Sequence, residues 1–128
     1  MTDQNRPTLW QQQLLQHAGN SPEIAVSLCD GFLQEVPGLL SSVNQMIRSQ
    51  QSSDLFRPLH TLKSCLGYVA SPKDLKLAQE VETCAKEVKV QDWDDFNARF
   101  QQLEVIAQQW VSDVRDFRQH LIDTSSGL

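Results

Sequence analysis

Residues 92–121 read DWDDFNARFQQLEVIAQQWVSDVRDFRQHL. Within them Phe96, Phe100, Leu103, Ala107, Trp110, Val114, Phe117 and Leu121 recur at steps of three and four. At about 100° per residue that spacing lays all eight side chains on one stripe of an α-helix. Asp92 stands just before it, where a carboxylate satisfies free amides at a helix start. A stripe held over about three and a half heptads has to be covered by other helices, so the segment sets the fold class as all-α.

Working outward, the flanking segments repeat the pattern. Ser71-Pro72 and Ser21-Pro22-Glu23 each join a capping hydroxyl to a proline suited to the first helical turn. The first opens a helix from about Pro72 to Val88, lined by Leu75, Ala78, Val81, Ala85 and Val88. The second opens a longer helix with Ile24, Leu28, Phe32, Val36, Leu39, Val43 and Ile47 as its stripe and a kink expected at Pro37. Before it, a short helix from about Thr8 to His17 is closed by Gly19. Ser52, Ser53 and Asp54 mark a turn, after which another helix is predicted to about Ala70, with Leu55, Leu59, Leu62, Leu66 and Val69 as its core stripe. Short connections between long amphipathic helices predict an antiparallel up-down four-helix bundle with the short first helix as a lid. Residues 1–128 read as one domain, ordered from about 8 to 121, with a loose tail from Thr124 to Leu128.

The 128 residues are 40% hydrophobic and 21% charged, the balance of a globular domain. Eleven Lys and Arg against sixteen Asp and Glu give a net charge of -5, which opposes binding to nucleic acid. No apolar run has membrane-spanning length and the polar start MTDQNRP is unlike a signal peptide, so a cytoplasmic protein is expected. Cys29, Cys65 and Cys84 are odd in number and outside any CxxC pattern, which predicts neither disulfides nor zinc. They read as small buried or half-buried residues. Glu-x-x-His pairs, which build metal sites in helical bundles, are absent. There is no phosphate-cradling glycine loop and no kinase motif, so no use of ATP is expected.

The third helix divides into two faces. Opposite its core stripe, Phe56, His60, Lys63, Ser64 and Gly67 share one sector. Lys63 lies one turn beyond His60, so its ammonium group can approach the imidazole or anything attached to it. A lone histidine on a helix is ordinarily surface, and His17 and His120 fit that reading, the former near a helix C-terminus. Trp10, Trp93 and Trp110 read as core or lid residues, and Ser64 has the plain role of bonding back to the carbonyl of His60. Pro58, near the start of the helix, predicts one lost backbone bond and a local bend.

The stretch His60-Thr-Leu-Lys63-Ser64-Cys65-Leu66-Gly67 resembles the phosphorylation motif of histidine-phosphotransfer domains, His-x-x-Lys-Gly followed by small residues. Phe32 to Pro37 is similar to that family's Phe-x-x-x-x-Pro stretch, and Leu75 to Glu82 resembles its following helix. The likeness extends over about residues 8–121 and departs from the motif at Ser64, where the family has glycine. It implies a four-helix bundle acting as a phosphocarrier in a two-component phosphorelay, with no kinase activity of its own. His60 is then the phosphoacceptor, taking a phosphoryl group from the aspartyl phosphate of a receiver domain and passing it to another. A neutral imidazole is a competent nucleophile near neutral pH. Lys63 is the electrostatic stabiliser of the transferred charge, and Ser64 lines the site. The resemblance places magnesium on the receiver and requires no cofactor here. Phe56, Gly67 and Tyr68 border the histidine and give a receiver its foothold. The chain is expected to be monomeric. The competing expectation is a phosphorylation-independent adaptor using the same face.

Overall fold

The computed structural model describes residues 8–87 and 92–126. They form five helices and, among the described residues, no strand: α1 Leu9–His17, α2 Pro22–Ser49, α3 Phe56–Leu66, α4 Pro72–Glu87 and α5 Trp93–Ser126. Helix α2 packs on α3 and α5, and α4 also packs on α3 and α5, while α1 lies against α2. The result is an all-helical bundle closed around one apolar core.

Side-chain caps begin the helices where the sequence places them. The Ser21 hydroxyl accepts from the Ile24 amide at 3.3 Å, and the Ser71 hydroxyl from the Asp74 amide at 3.3 Å. The turn between α1 and α2 uses two left-handed residues, Gly19 at φ 62° and Asn20 at φ 61°. Glycine and asparagine are the residues that adopt this conformation at least cost. Helix α2 ends on a third, Gln50 at φ 53°, which the sequence does not announce.

The stripe of α5 is confirmed: Phe96, Phe100, Leu103, Ala107, Val114, Phe117 and Leu121 are buried, and Trp110 is half-buried against them. The α3 stripe, Leu55, Leu59, Leu62, Leu66 and Val69, is wholly buried. The α2 stripe is displaced by one position. Ala25, Cys29 and Leu40 are buried in place of Ile24, Leu28 and Leu39, and Ile24 is 52% exposed. Phe32, Val36 and Val43 are buried as expected, while Ile47 is only half-buried. Because α2 meets both α3 and α5, its buried arc is set by two neighbours rather than by its bulkiest residues. The helix runs unbroken through Pro37.

Helix α3 stops at Leu66 instead of Ala70. Gly67 forms its C-cap, and the chain tightens into three-residue turns, the Tyr68 amide bonding to the Cys65 carbonyl and Val69 to Leu66. Pro58 costs no intrahelical bond, because it falls in the first turn, where amides have no carbonyl four residues back within the helix. Helix α5 continues through Thr124 to Ser126, past the predicted start of the tail; the rest of that tail, and Val88 of the α4 stripe, lie outside the described residues.

The first helix does act as a cover. Trp10 sets its ring edge-on against Trp110 and Phe117 of α5, at 5.3 Å between centroids in each case. The Trp110 indole in turn donates to Asp74 Oδ2 on α4 at 2.8 Å, which satisfies its one polar atom. Gln13 donates to the Gly67 carbonyl at 3.3 Å, tying α1 to the end of α3.

Candidate functional site

His60 sits at the middle of α3 on the side that faces α4. Its side chain is 55% exposed. One edge of the ring is nevertheless fixed: Nδ1 lies 3.3 Å from Oε1 of Glu82, a residue of α4 whose side chain is only 4% exposed. Lys63 Nζ reaches the same carboxylate oxygen at 3.0 Å and the Gln79 side-chain oxygen at 2.7 Å. Gln79 then donates to the Thr83 hydroxyl at 3.1 Å. Four residues from two helices therefore converge on one buried carboxylate or its immediate neighbours.

Burial pushes the Glu82 carboxyl up, but hydrogen bonds from Lys63 and His60 and the charges of both outweigh it, so its pKa lies below the ordinary glutamate value. Glu82 is thus ionised at neutral pH and only accepts hydrogen bonds. In a neutral ring the proton must then stand on Nδ1, leaving the lone pair on Nε2, the nitrogen away from the carboxylate. A carboxylate that fixes the tautomer of an exposed imidazole prepares a nucleophile.

The other predicted site residues divide into two groups. The half-buried Phe56 ring stacks on His60, with centroids 5.4 Å apart and planes at 28°. Ser64 is exposed, and its hydroxyl donates to the His60 carbonyl at 3.2 Å rather than to the imidazole. Gly67 and Tyr68 make their contacts towards α1: Gly67 through Gln13, and Tyr68, 42% exposed, edge-on to His17 at 5.2 Å. The sector opposite the core stripe is therefore less open than expected, since Phe56, Lys63 and Gly67 are half-buried.

Sequence reasoning left Glu82 out of the site. The signal was its position among Ala78, Val81 and Ala85, an acid inside an apolar stripe. Among the described residues it is the one buried charged side chain.

Cys29 is buried and its thiol is pushed up to about 11, by burial first and Asp30 next, with Arg118 opposing. The half-buried Cys65 thiol is also raised, by burial and by Glu35. Thiols so shifted are poor nucleophiles. Among the described residues no group of three or more His, Cys, Asp or Glu is placed to hold a metal ion. No helix among them is long and apolar enough to cross a membrane. A groove of about 550 Å³ between α2 and α5, bordered by Pro37, Asn44, Arg48, Glu104 and Arg115, contains none of the residues around His60.

Comparison with known proteins gives one family. A family model described as "Hpt domain" matches residues 27–119, which include α3, α4 and most of α2 and α5. No curated protein and no solved structure matches the chain significantly.

Proposed function

Because this chain belongs to the Hpt domain family, whose members are phosphocarriers rather than kinases, we propose that it carries a phosphoryl group on His60 between receiver domains of a phosphorelay. The observation that carries this reading is the shared carboxylate oxygen of Glu82, 3.3 Å from His60 Nδ1 and 3.0 Å from Lys63 Nζ. It turns the exposed histidine into an oriented nucleophile with a cation beside it.

In the proposed step the Nε2 lone pair attacks the phosphorus of an aspartyl phosphate on a receiver. The P–N bond forms as the P–O bond breaks, and the receiver's carboxylate leaves with the electron pair. His60 keeps its Nδ1 proton, and the positive charge that develops on the ring faces the Glu82 carboxylate. Lys63 stabilises charge on the phosphoryl oxygens and also keeps Glu82 ionised. Any magnesium ion belongs to the receiver, since the carboxylate beside His60 is already matched by Lys63. Return transfer to a second receiver is the same step reversed.

The pairings between helices support the antiparallel up-down four-helix arrangement: Asp30 with Arg118 and Asn44 with Glu104 for α2 and α5, His60 with Glu82 and Lys63 with Gln79 for α3 and α4. In each pair of helices the numbers rise on one as they fall on the other. In this reading the protein is a cytoplasmic monomer that meets its receivers through the exposed imidazole, with Phe56 and Tyr68 at the contact.

The test is incubation with a phosphorylated receiver. The expected outcome is an acid-labile, base-stable phosphate on the protein, lost in a His60→Ala variant that remains helical. A phosphorylation-independent adaptor would bind the receiver and acquire no phosphate.

A further inference from the structure

Lys63 is the cation supplied by the motif, and it is already engaged. Its ammonium group is held by Glu82 at 3.0 Å and Gln79 at 2.7 Å, and its charge is matched by the carboxylate. The Lys63 and Glu82 charges cancel, so with the imidazole in the neutral form that attack requires, the three residues carry no net charge before transfer. The arriving phosphoryl group makes them net negative, and a negative group beside a buried carboxylate is favoured only where further positive charge can approach.

A second cation stands at the same place. Lys86 lies on α4 one turn beyond Glu82, and its Nζ is 4.7 Å from the centroid of the Phe56 ring. That ring is the one stacked on His60 at 5.4 Å. Lys86 is exposed, and among the described residues no carboxylate forms an ion pair with it. A cation–π contact at an exposed site is weak, and a four-carbon stem is flexible, so the ammonium group can leave the ring at little cost. Arg57, also exposed, is less well placed. It precedes His60 by three residues on α3, and helical side chains lean towards the helix N-terminus, which carries its guanidinium away from the imidazole.

We propose that Lys86 is a second phosphoryl-binding residue: resting on Phe56 in the free protein, its ammonium group moves onto the phosphoryl oxygens once they are attached to His60 Nε2. The inference rests on the phosphocarrier reading. It assigns the two lysines complementary work. Lys63 faces the phosphoryl oxygens with a charge already matched by Glu82, whereas Lys86 brings the further positive charge that offsets what transfer adds and slows attack of water on the phosphohistidine.

The experiment uses the full chain with phosphoramidate, a small donor that needs no receiver docking, and follows phosphohistidine by phosphorus NMR. Lys86→Gln is expected to lower the phosphorylated fraction and shorten its lifetime roughly two- to fivefold, the range of a partly exposed ion pair. Lys86→Arg should restore both, Arg57→Gln should leave both at the wild-type level, and high salt should narrow the difference. Equal lifetimes for wild type and Lys86→Gln, or a loss that follows Arg57 instead, would overturn the assignment. If the wild-type protein accepts phosphoryl on His60 from neither phosphoramidate nor a phosphorylated receiver, the phosphocarrier reading itself fails and the role of Lys86 with it.

Discussion

His60 and Glu82, 22 residues apart in sequence and on different helices, meet through Nδ1 and Oε1 at 3.3 Å, one side chain largely in solvent and the other buried. In a neutral ring the carboxylate favours the proton on Nδ1, which leaves the lone pair on Nε2. That relationship gives the first two predictions.

Glu82→Gln keeps the shape of the side chain and removes its charge. The amide no longer favours one tautomer of His60, because it presents both a donor and an acceptor. Phosphoryl acceptance should slow by a factor on the order of 10 or more, yet by less than the ~10⁴ seen when a fully buried acid behind a catalytic histidine is neutralised, since this imidazole is half exposed. Initial rates with a fixed phosphorylated receiver measure it, alongside a dichroism spectrum that should remain helical.

The depressed pKa of Glu82 also makes stability depend on pH. A carboxyl whose folded value lies below its unfolded one adds stability above the ordinary carboxylate range, and that contribution is lost as pH falls through the folded value. Denaturant unfolding of wild type and Glu82→Gln at about pH 7 and about pH 3 should show a wild-type advantage that narrows in acid. A gap unchanged between the two would show that the carboxylate is not ionised in the fold.

Ser64 gives a prediction in which stability and rate separate. Its hydroxyl is spent on the His60 carbonyl, so it is not available to the phosphoryl group. Ser64→Gly should cost up to ~1 kcal/mol through backbone entropy and lower the melting temperature by a few degrees. Acceptance of phosphoryl should be at least as fast as in wild type, and Ser64→Leu should block it by crowding the approach of a receiver. Loss of phosphorylation in a folded Ser64→Gly protein would make the hydroxyl a donor in the transfer.

Gln50 offers a test of the fold apart from the site. It ends α2 at φ 53°, and its amide bonds back to the Ile47 and Met46 carbonyls. Glycine adopts this conformation without the crowding a side chain meets. Gln50→Gly should therefore raise stability by up to about 1 kcal/mol with no change in phosphotransfer, as read from thermal melting and transfer rates.

The parts of the fold legible in the sequence were those with local causes. The caps at Ser21 and Ser71 act within three residues, and the stripe of α5 is long enough to average out exceptions. On α2 the bulky Ile24, Leu28 and Leu39 drew the stripe one position away from the smaller Ala25 and Cys29 that are in fact buried, because depth there depends on two neighbouring helices. Helix α3 ends at Leu66, short of Ala70, because Gly67, which the residue pattern places in the sector shared with His60, is where the helix stops. His60 and Lys63 were visible as a pair one turn apart on a single helix. Glu82 reaches them from α4, and Lys86 reaches the Phe56 ring stacked on His60, juxtapositions that only packing creates.

The matched family region begins at residue 27, after the whole of α1, yet Leu14 and Ala18 are buried, Trp10 rests on Trp110 and Phe117, and Gln13 holds the carbonyl that closes α3. The segment that the family model matches and the segment that packs on the core are therefore different lengths in this protein. A chain shortened to the matched part would keep every residue around His60 and lose the roof over two aromatic rings and the brace at the far end of the histidine's helix. Apolar surface opened in that way favours self-association, so a fragment trimmed at that boundary would report on its own aggregation as much as on phosphotransfer.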